Sequence, residues 1–113
     1  MTDTIFQKII DKEIATDIIY EDDFCLAFND INPQAPVHIL IIPKQSLEKI
    51  HDATASDKEL LGHMLICANK IADMKNIGDG YRLVINNGEK AGQTVFHLHL
   101  HIIGGRDLKW PPG

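Results

Sequence analysis

Phe96-His97-Leu98-His99-Leu100-His101-Ile102-Ile103 carries a histidine at every second position, with aliphatic residues between. Successive side chains of a β-strand point to opposite faces, so extended backbone here puts the three imidazoles on one face. Leu98, Leu100 and Ile102 take the other face and form a core-facing row. Half of the chain's six histidines fall within five residues. Solvation alone is served by Lys, Thr, Glu or Ser, and nothing about a strand favours His. Such a row can supply a nucleophile, a proton donor and a phosphate or metal ligand in one pocket.

The residues just upstream narrow the choice. Gly88-Glu89-Lys90-Ala91-Gly92 is a glycine-bounded loop able to present backbone N–H groups as an anion nest. Thr94 adds a hydroxyl, and Asn86 and Gln93 add amides. Lys90 is the loop's one cation, which leaves most phosphate binding to neutral donors. A metal is the alternative, because residues i and i+2 of a strand lie about 6.7 Å apart and such a pair can hold zinc. His97 and His101 are about twice as far apart along the strand, an awkward span for one ion that needs nitrogen at ~2.1 Å. His38, on an apolar strand elsewhere, is the best argument for a metal.

The remaining elements follow from periodicity. Ile5, Phe6, Ile9 and Ile10 recur at helical spacing behind Asp3 as a candidate N-cap. Ile18-Ile19-Tyr20, an acidic turn, and Phe24 to Phe28 read as a hairpin. Pro33 and Pro36 make 32–36 a loop, and Val37 to Ile42, ended by Pro43, has the near-continuous apolarity of a doubly buried strand. Ser56 and Glu59 have capping-box spacing. Behind them Leu60, Leu61, Met64, Leu65, Ala68, Ile71 and Ala72 keep one apolar stripe until Asn76 and Gly78. Tyr81 to Asn86 is a further strand. The expectation is an α+β fold occupying residues 1–113 as one domain: an antiparallel sheet of about five strands, a short N-terminal helix and one long helix.

The 113 residues are 44% hydrophobic and 24% charged, with a formal net charge of -5. That balance argues against a nucleic-acid or anionic-membrane binder, which needs a basic stripe. No apolar run approaches the ~20 residues of a membrane span, and no secretory signal opens the chain. Cys25 and Cys67 are distant in sequence, form no C-x-x-C, and read as small buried residues of a reducing compartment. A cytoplasmic location is expected.

His97-Leu98-His99-Leu100-His101-Ile102-Ile103 resembles the signature of the histidine-triad (HIT) family. Asp30-Ile31-Asn32-Pro33-Gln34-Ala35-Pro36, Gly92-Gln93-Thr94-Val95-Phe96, Gly104-Gly105-Arg106 and Trp110-Pro111-Pro112-Gly113 extend the resemblance to the family's purine nucleoside phosphoramidase branch. The resemblance implies a HIT fold and a two-fold homodimer. It implies hydrolysis of the P–N bond of purine nucleoside phosphoramidates, adenosine 5′-monophosphate adducts foremost, without metal or other cofactor. His99 then corresponds to the nucleophile that becomes transiently nucleotidylated, His101 to the phosphate contact, and His97 to the residue that orients the nucleophile. His38 matches a fourth histidine of the site. Asn86, Gly92 and Thr94 match the phosphate-side positions, Gln93 and Val95 fall among the nucleotide-binding residues, and Asp30 matches the ribose-binding carboxylate. Ile5, Phe6, Ile9, Phe28 and Ile31 match the purine slot. The resemblance places Trp110, on the C-terminal tail, near the neighbouring subunit's site. Thr94 stands where related chains often carry Ser, and Ser46 where many carry His. The competing expectations are a HIT dinucleoside polyphosphate hydrolase and a nucleotide-binding scaffold with incidental catalysis.

Overall fold

A computed structural model describes residues 4–113. Its elements are α1 (Ile5–Ile10), β1 (Ile18–Glu21), β2 (Cys25–Asn29), β3 (Val37–Pro43), α2 (Lys58–Met74), β4 (Tyr81–Val84) and β5 (Leu100–Gly104). The strands form one sheet in the order β1-β2-β3-β5-β4, and every neighbouring pair is antiparallel. This is the expected α+β architecture of five strands, one short helix and one long helix. No helix among the described residues is long and apolar enough to cross a membrane.

Period-two alternation in β2 and β3 sorts side chains between two apolar clusters. Cys25, Ala27, Ile39 and Ile41 pack with Leu98, Leu100 and Ile102 against the Met64, Cys67, Ala68, Ile71 and Ala72 stripe of α2. Leu26, Phe28, Leu40 and Ile42 face the other way, onto Phe6 and Ile9 of α1. β3 is therefore buried on both faces, as its apolar run predicts. Each fully buried Leu or Ile contributes roughly 1.5–3 kcal/mol, so the row of Leu98, Leu100 and Ile102 anchors the histidine segment firmly.

Local signals set the ends. The Thr4 hydroxyl accepts from Gln7 N–H at 3.1 Å and caps α1, whereas Asp3 lies outside the described residues. The helix closes through Lys12, which adopts φ 62 while Glu13 N–H reaches Lys8 C=O at 2.9 Å. The capping box closes the single 3₁₀ turn Ala55–Asp57 that leads into the long helix, two residues before the expected Ser56–Glu59 pair. Thr54 N–H donates to Asp57 Oδ2 at 2.9 Å, and Gln45 Nε2 holds Oδ1 at 3.0 Å. Asn76, at φ 59, ends α2 as expected, with Ile77 N–H bonded to Ala72 C=O at 3.0 Å.

The histidine segment departs from the expectation. Only His101 lies within a strand, because β5 begins at Leu100. Pro43 supplies the reason. Even-numbered β3 residues turn their backbone groups to β2, as Asp30 N–H to His38 C=O and Lys44 N–H to Phe24 C=O show. Odd-numbered ones face β5, where Ile41 is paired with Leu100. The next such residue is Pro43, which has no N–H to donate, and Leu98 N–H turns to Leu47 C=O at 2.7 Å instead. β4 likewise stops at Val84, short of the expected Asn86.

Candidate active site

The alternation survives the broken ladder, so the imidazoles gather beside α1. Phe6 packs edge-on against His99 at 5.1 Å and lies 6.4 Å from His97 between ring centroids. The His99 and His101 rings are 5.1 Å apart, and His38 and His101 are 5.2 Å apart. His38, His97 and His99 are buried. His38 reaches the group because β3 and β5 pair Leu40 with His101 and His38 with Ile103; the two rings then sit on the same face.

Hydrogen bonds assign a proton to one nitrogen of each ring. Gln34 N–H donates to His38 Nδ1 at 3.0 Å, so the His38 proton is on Nε2. That Nε2–H donates to His101 Nδ1 at 2.9 Å, which puts the His101 proton on its own Nε2. His101 Nε2 is buried and has no protein partner. His99 Nδ1–H donates to His97 C=O at 2.7 Å, which leaves its Nε2 lone pair free. His97 Nε2–H donates to Pro43 C=O at 2.8 Å. The carbonyl freed by the missing ladder thus holds the first histidine. Sequence reasoning missed Pro43 and the Gln34 amide; the proline that ends β3 was the available signal.

Burial lowers the pKa of His97 and of His99. Burial, aided by the neighbouring His99 and His38 rings, lowers His101 to about 4, with Asp30 opposing. All three rings are neutral at pH 7, the state in which an imidazole has a lone pair to offer. Asp30 Oδ1 accepts from Asn32 N–H at 2.8 Å, as a loop-capping Asp does, while Oδ2 stands 3.4 Å from His38 Nε2. Asp30, His38 and His101 offer donor atoms within 4.8 Å of one another. The His38–His101 hydrogen bond already occupies one proton and one lone pair there.

The other expected residues divide. Phe6 and Phe28 meet edge-to-face at 5.5 Å, with Ile9 in the same cluster and Val95 packed on it. Ile5 is half exposed, and Ile31 and Trp110 are almost fully exposed. Thr94 is exposed and Asn86 half-buried; a side chain on Gly92 would first meet the Asn86 amide. Gln93 is buried and braces its own loop, accepting from Gly88 N–H at 2.8 Å and donating to Glu48 C=O and Val95 C=O at 2.7 and 3.1 Å. The expected anion nest is not built from these amides. Ala91 and Gln93 N–H bond Gly88 C=O, and Gly92 N–H bonds Glu89 C=O. Left-handed glycines at Gly88 and Gly92 make that tight self-bonded turn possible.

A row of neutral imidazoles on a five-stranded antiparallel sheet, one ring with a bare nitrogen and its neighbour with an unpartnered N–H, defines the class to which comparison assigns the chain. The HIT domain family model matches residues 11–108. The chain belongs to the HIT family. An uncharacterized HIT-like protein of Synechocystis is 62% identical over 98% of this chain and 97% of its own length. A HIT family hydrolase from Legionella pneumophila superposes with a TM-score of 0.94 at 48% identity, covering 96% of this chain and 98% of that one. A histidine triad nucleotide-binding protein from Candida albicans superposes at 0.85 with 32% identity, over 96% and 82% of the two chains.

Proposed function

We propose that this chain is a nucleotide-binding hydrolase that cleaves the P–N bond of purine nucleoside phosphoramidates through a nucleotidyl-His99 intermediate. One observation carries the reading: His99, whose Nε2 is free and whose Nδ1–H is bonded to His97 C=O, has its ring 5.1 Å from that of His101, which carries an unpartnered Nε2–H. Those are the two atoms an in-line displacement at phosphorus needs, a lone pair and a donor to the phosphoryl oxygens.

The His99 Nε2 lone pair forms a bond to the α-phosphorus as the P–N bond breaks. The departing nitrogen takes a proton from solvent on the side of the Thr94 hydroxyl. His101 Nε2–H bonds a phosphate oxygen, and His38 holds His101 in the tautomer that can do so. Positive charge developing on His99 is met at Nδ1–H by the His97 carbonyl. Water then attacks phosphorus, the N–P bond to His99 breaks, and the proton consumed in the first step returns to solvent. The purine enters between Ile5, Phe6, Ile9, Phe28 and Ile31, of which Ile5 and Ile31 are exposed and the two aromatics buried. Asp30 receives the ribose hydroxyls, and Asn86, Gly92 and Thr94 line the phosphate side, with Gln93 bracing their loop and Val95 packed on the apolar cluster of Phe6 and Phe28.

The same reading makes the protein a homodimer. β4 is an edge strand, Leu65 and Ile66 of α2 are exposed, and Ile50, Leu61, Leu65 and Ile85 line an apolar hollow beside them. An isologous pair would cover all three and bring the Trp110 tail to the partner's site.

His99→Ala tests the proposal. Hydrolysis of adenosine 5′-phosphoramidate is lost while calorimetric binding of adenosine monophosphate persists; full activity in the variant overturns it.

A further inference from the structure

Away from the triad, a second set of ligand-type side chains converges where the β1–β2 turn meets α2. Asp22, Cys25, His63 and Cys67 present donor atoms within 4.8 Å of one another. Cys25 and Cys67 are fully buried, and their Sγ atoms, 42 residues apart in sequence, lie 3.9 Å apart. Cys67 Sγ is 3.4 Å from His63 Nε2 and 3.6 Å from Asp22 Oδ2, and Cys25 Sγ is 3.7 Å from Asp22 Oδ1.

We propose that Asp22, Cys25, His63 and Cys67 form a structural zinc site that pins the β1–β2 turn to the long helix. A tetrahedral ion with sulfur at ~2.3 Å and nitrogen or oxygen at ~2.0 Å separates two sulfurs by about 3.8 Å and sulfur from N or O by about 3.5 Å. The three separations from Cys67 Sγ match, while Cys25 Sγ is close to the carboxylate's other oxygen, Oδ1. The 2.6 Å contact between His63 Nε2 and Asp22 Oδ2 is a hydrogen bond in the metal-free arrangement and opens by about 0.7 Å around an ion. The partly exposed His63 ring has room for that shift.

The scaffold is rigid at the other ligands. Asp22 Oδ1 accepts from Phe24 and Cys25 N–H at 2.8 and 3.0 Å, and Tyr20 OH donates to Oδ2 at 2.9 Å, the outer hydrogen bonds that orient a ligating carboxylate. His63 and Cys67 are four residues apart on α2 and so share one face. Burial raises the Asp22 pKa, yet hydrogen bonds from Phe24, His63, Tyr20 and Cys25 hold the carboxyl well below its usual range. A cleft of ≈ 380 Å³ lined by Phe24, Lys44, Glu59 and His63 opens onto the cluster from solvent.

Soft sulfur with borderline imidazole selects zinc over magnesium or calcium. Binding forms two Zn–S bonds and releases two thiol protons to solvent. The His63 proton passes from Nε2 to Nδ1, and the Nε2 lone pair binds zinc. Four protein ligands close the shell, so the ion holds structure and is not a reaction centre. A disulfide between the cysteines would leave Asp22 and His63 without a part.

The test is elemental analysis of the full chain after chelation, zinc loading and desalting. About one zinc per chain is expected for the unmodified protein and for His99→Ala, and affinity lower by roughly 100-fold or more for Cys67→Ser. Thermal unfolding moves up with zinc in the unmodified chain and not in Cys67→Ser. Cobalt loading of the unmodified chain gives a thiolate-to-cobalt charge-transfer band, a readout that needs no variant. Metal lost in His99→Ala but kept in Cys67→Ser, cobalt without that band, or the mass of a Cys25–Cys67 disulfide in place of bound metal would each overturn the proposal.

Discussion

His38→Phe isolates the relay behind the triad. The substitution keeps a ring of similar size on β3 but deletes both hydrogen bonds of His38, from Gln34 N–H at 3.0 Å and to His101 Nδ1 at 2.9 Å. Gln34 is exposed and its amide can turn to water, whereas His101 Nδ1 is left facing a phenyl ring. An unsatisfied buried group costs about 1–3 kcal/mol, which is the loss of stability expected in urea unfolding. Catalysis suffers separately. The His38 donor fixes the His101 proton on Nε2; losing a bias of about 1.4 kcal/mol between the two tautomers takes the active one from about ten in eleven chains to about half, so kcat/KM falls about twofold. Steady-state hydrolysis of adenosine 5′-phosphoramidate reads the rate, and nitrogen-15 shifts of His101 read the tautomer. If His101 keeps its proton on Nε2 and kcat/KM is unchanged, the relay is not what orients the donor.

Two further outcomes follow from the same geometry. The pKa values of His97, His99 and His101 are lowered by folding, so the unfolded chain binds more protons below about pH 6.5. Stability is complete above that pH and declines as pH falls toward the His101 value of about 4, by at most roughly 3 kcal/mol for that ring; urea titrations across this range that show stability rising with acid would contradict the assignment. Gln93→Ala removes three hydrogen bonds that tie Gly88, Glu48 and Val95 together, which should cost about 2–3 kcal/mol in unfolding free energy; a loss below about 0.5 kcal/mol would mean that the loop is held by its turn alone.

Much of this arrangement was legible in the residues because it is periodic. β2 and β3 follow from short apolar runs bounded by turns, α2 from a helical stripe, and the left-handed Asn76 stop from turn chemistry. The length of β5 was not legible, since it depends on which edge of β3 Pro43 turns toward its neighbour, a property of pairing and not of either segment. The true capping pair, Thr54 and Asp57, has the same spacing as Ser56 and Glu59, and only Asp57 is also held by the distant Gln45. The self-bonded loop at Gly88–Gly92 hid its amides from an anion. Cys25 and Cys67 gave no local signal of their meeting, although Asp22-x-x-Cys25 and His63-x-x-x-Cys67 each put two ligand types on one side of a turn or helix.

Everything proposed about turnover rests on the middle imidazole acting as a nucleophile. Rapidly quenched turnover, analysed by intact mass and peptide mapping under conditions that spare acid-labile bonds, tests it most directly. The account predicts a nucleoside monophosphate adduct on His99 at early times, absent from His99→Ala. Turnover with no adduct on the chain, or an adduct on His97, His101 or another side chain, would contradict it.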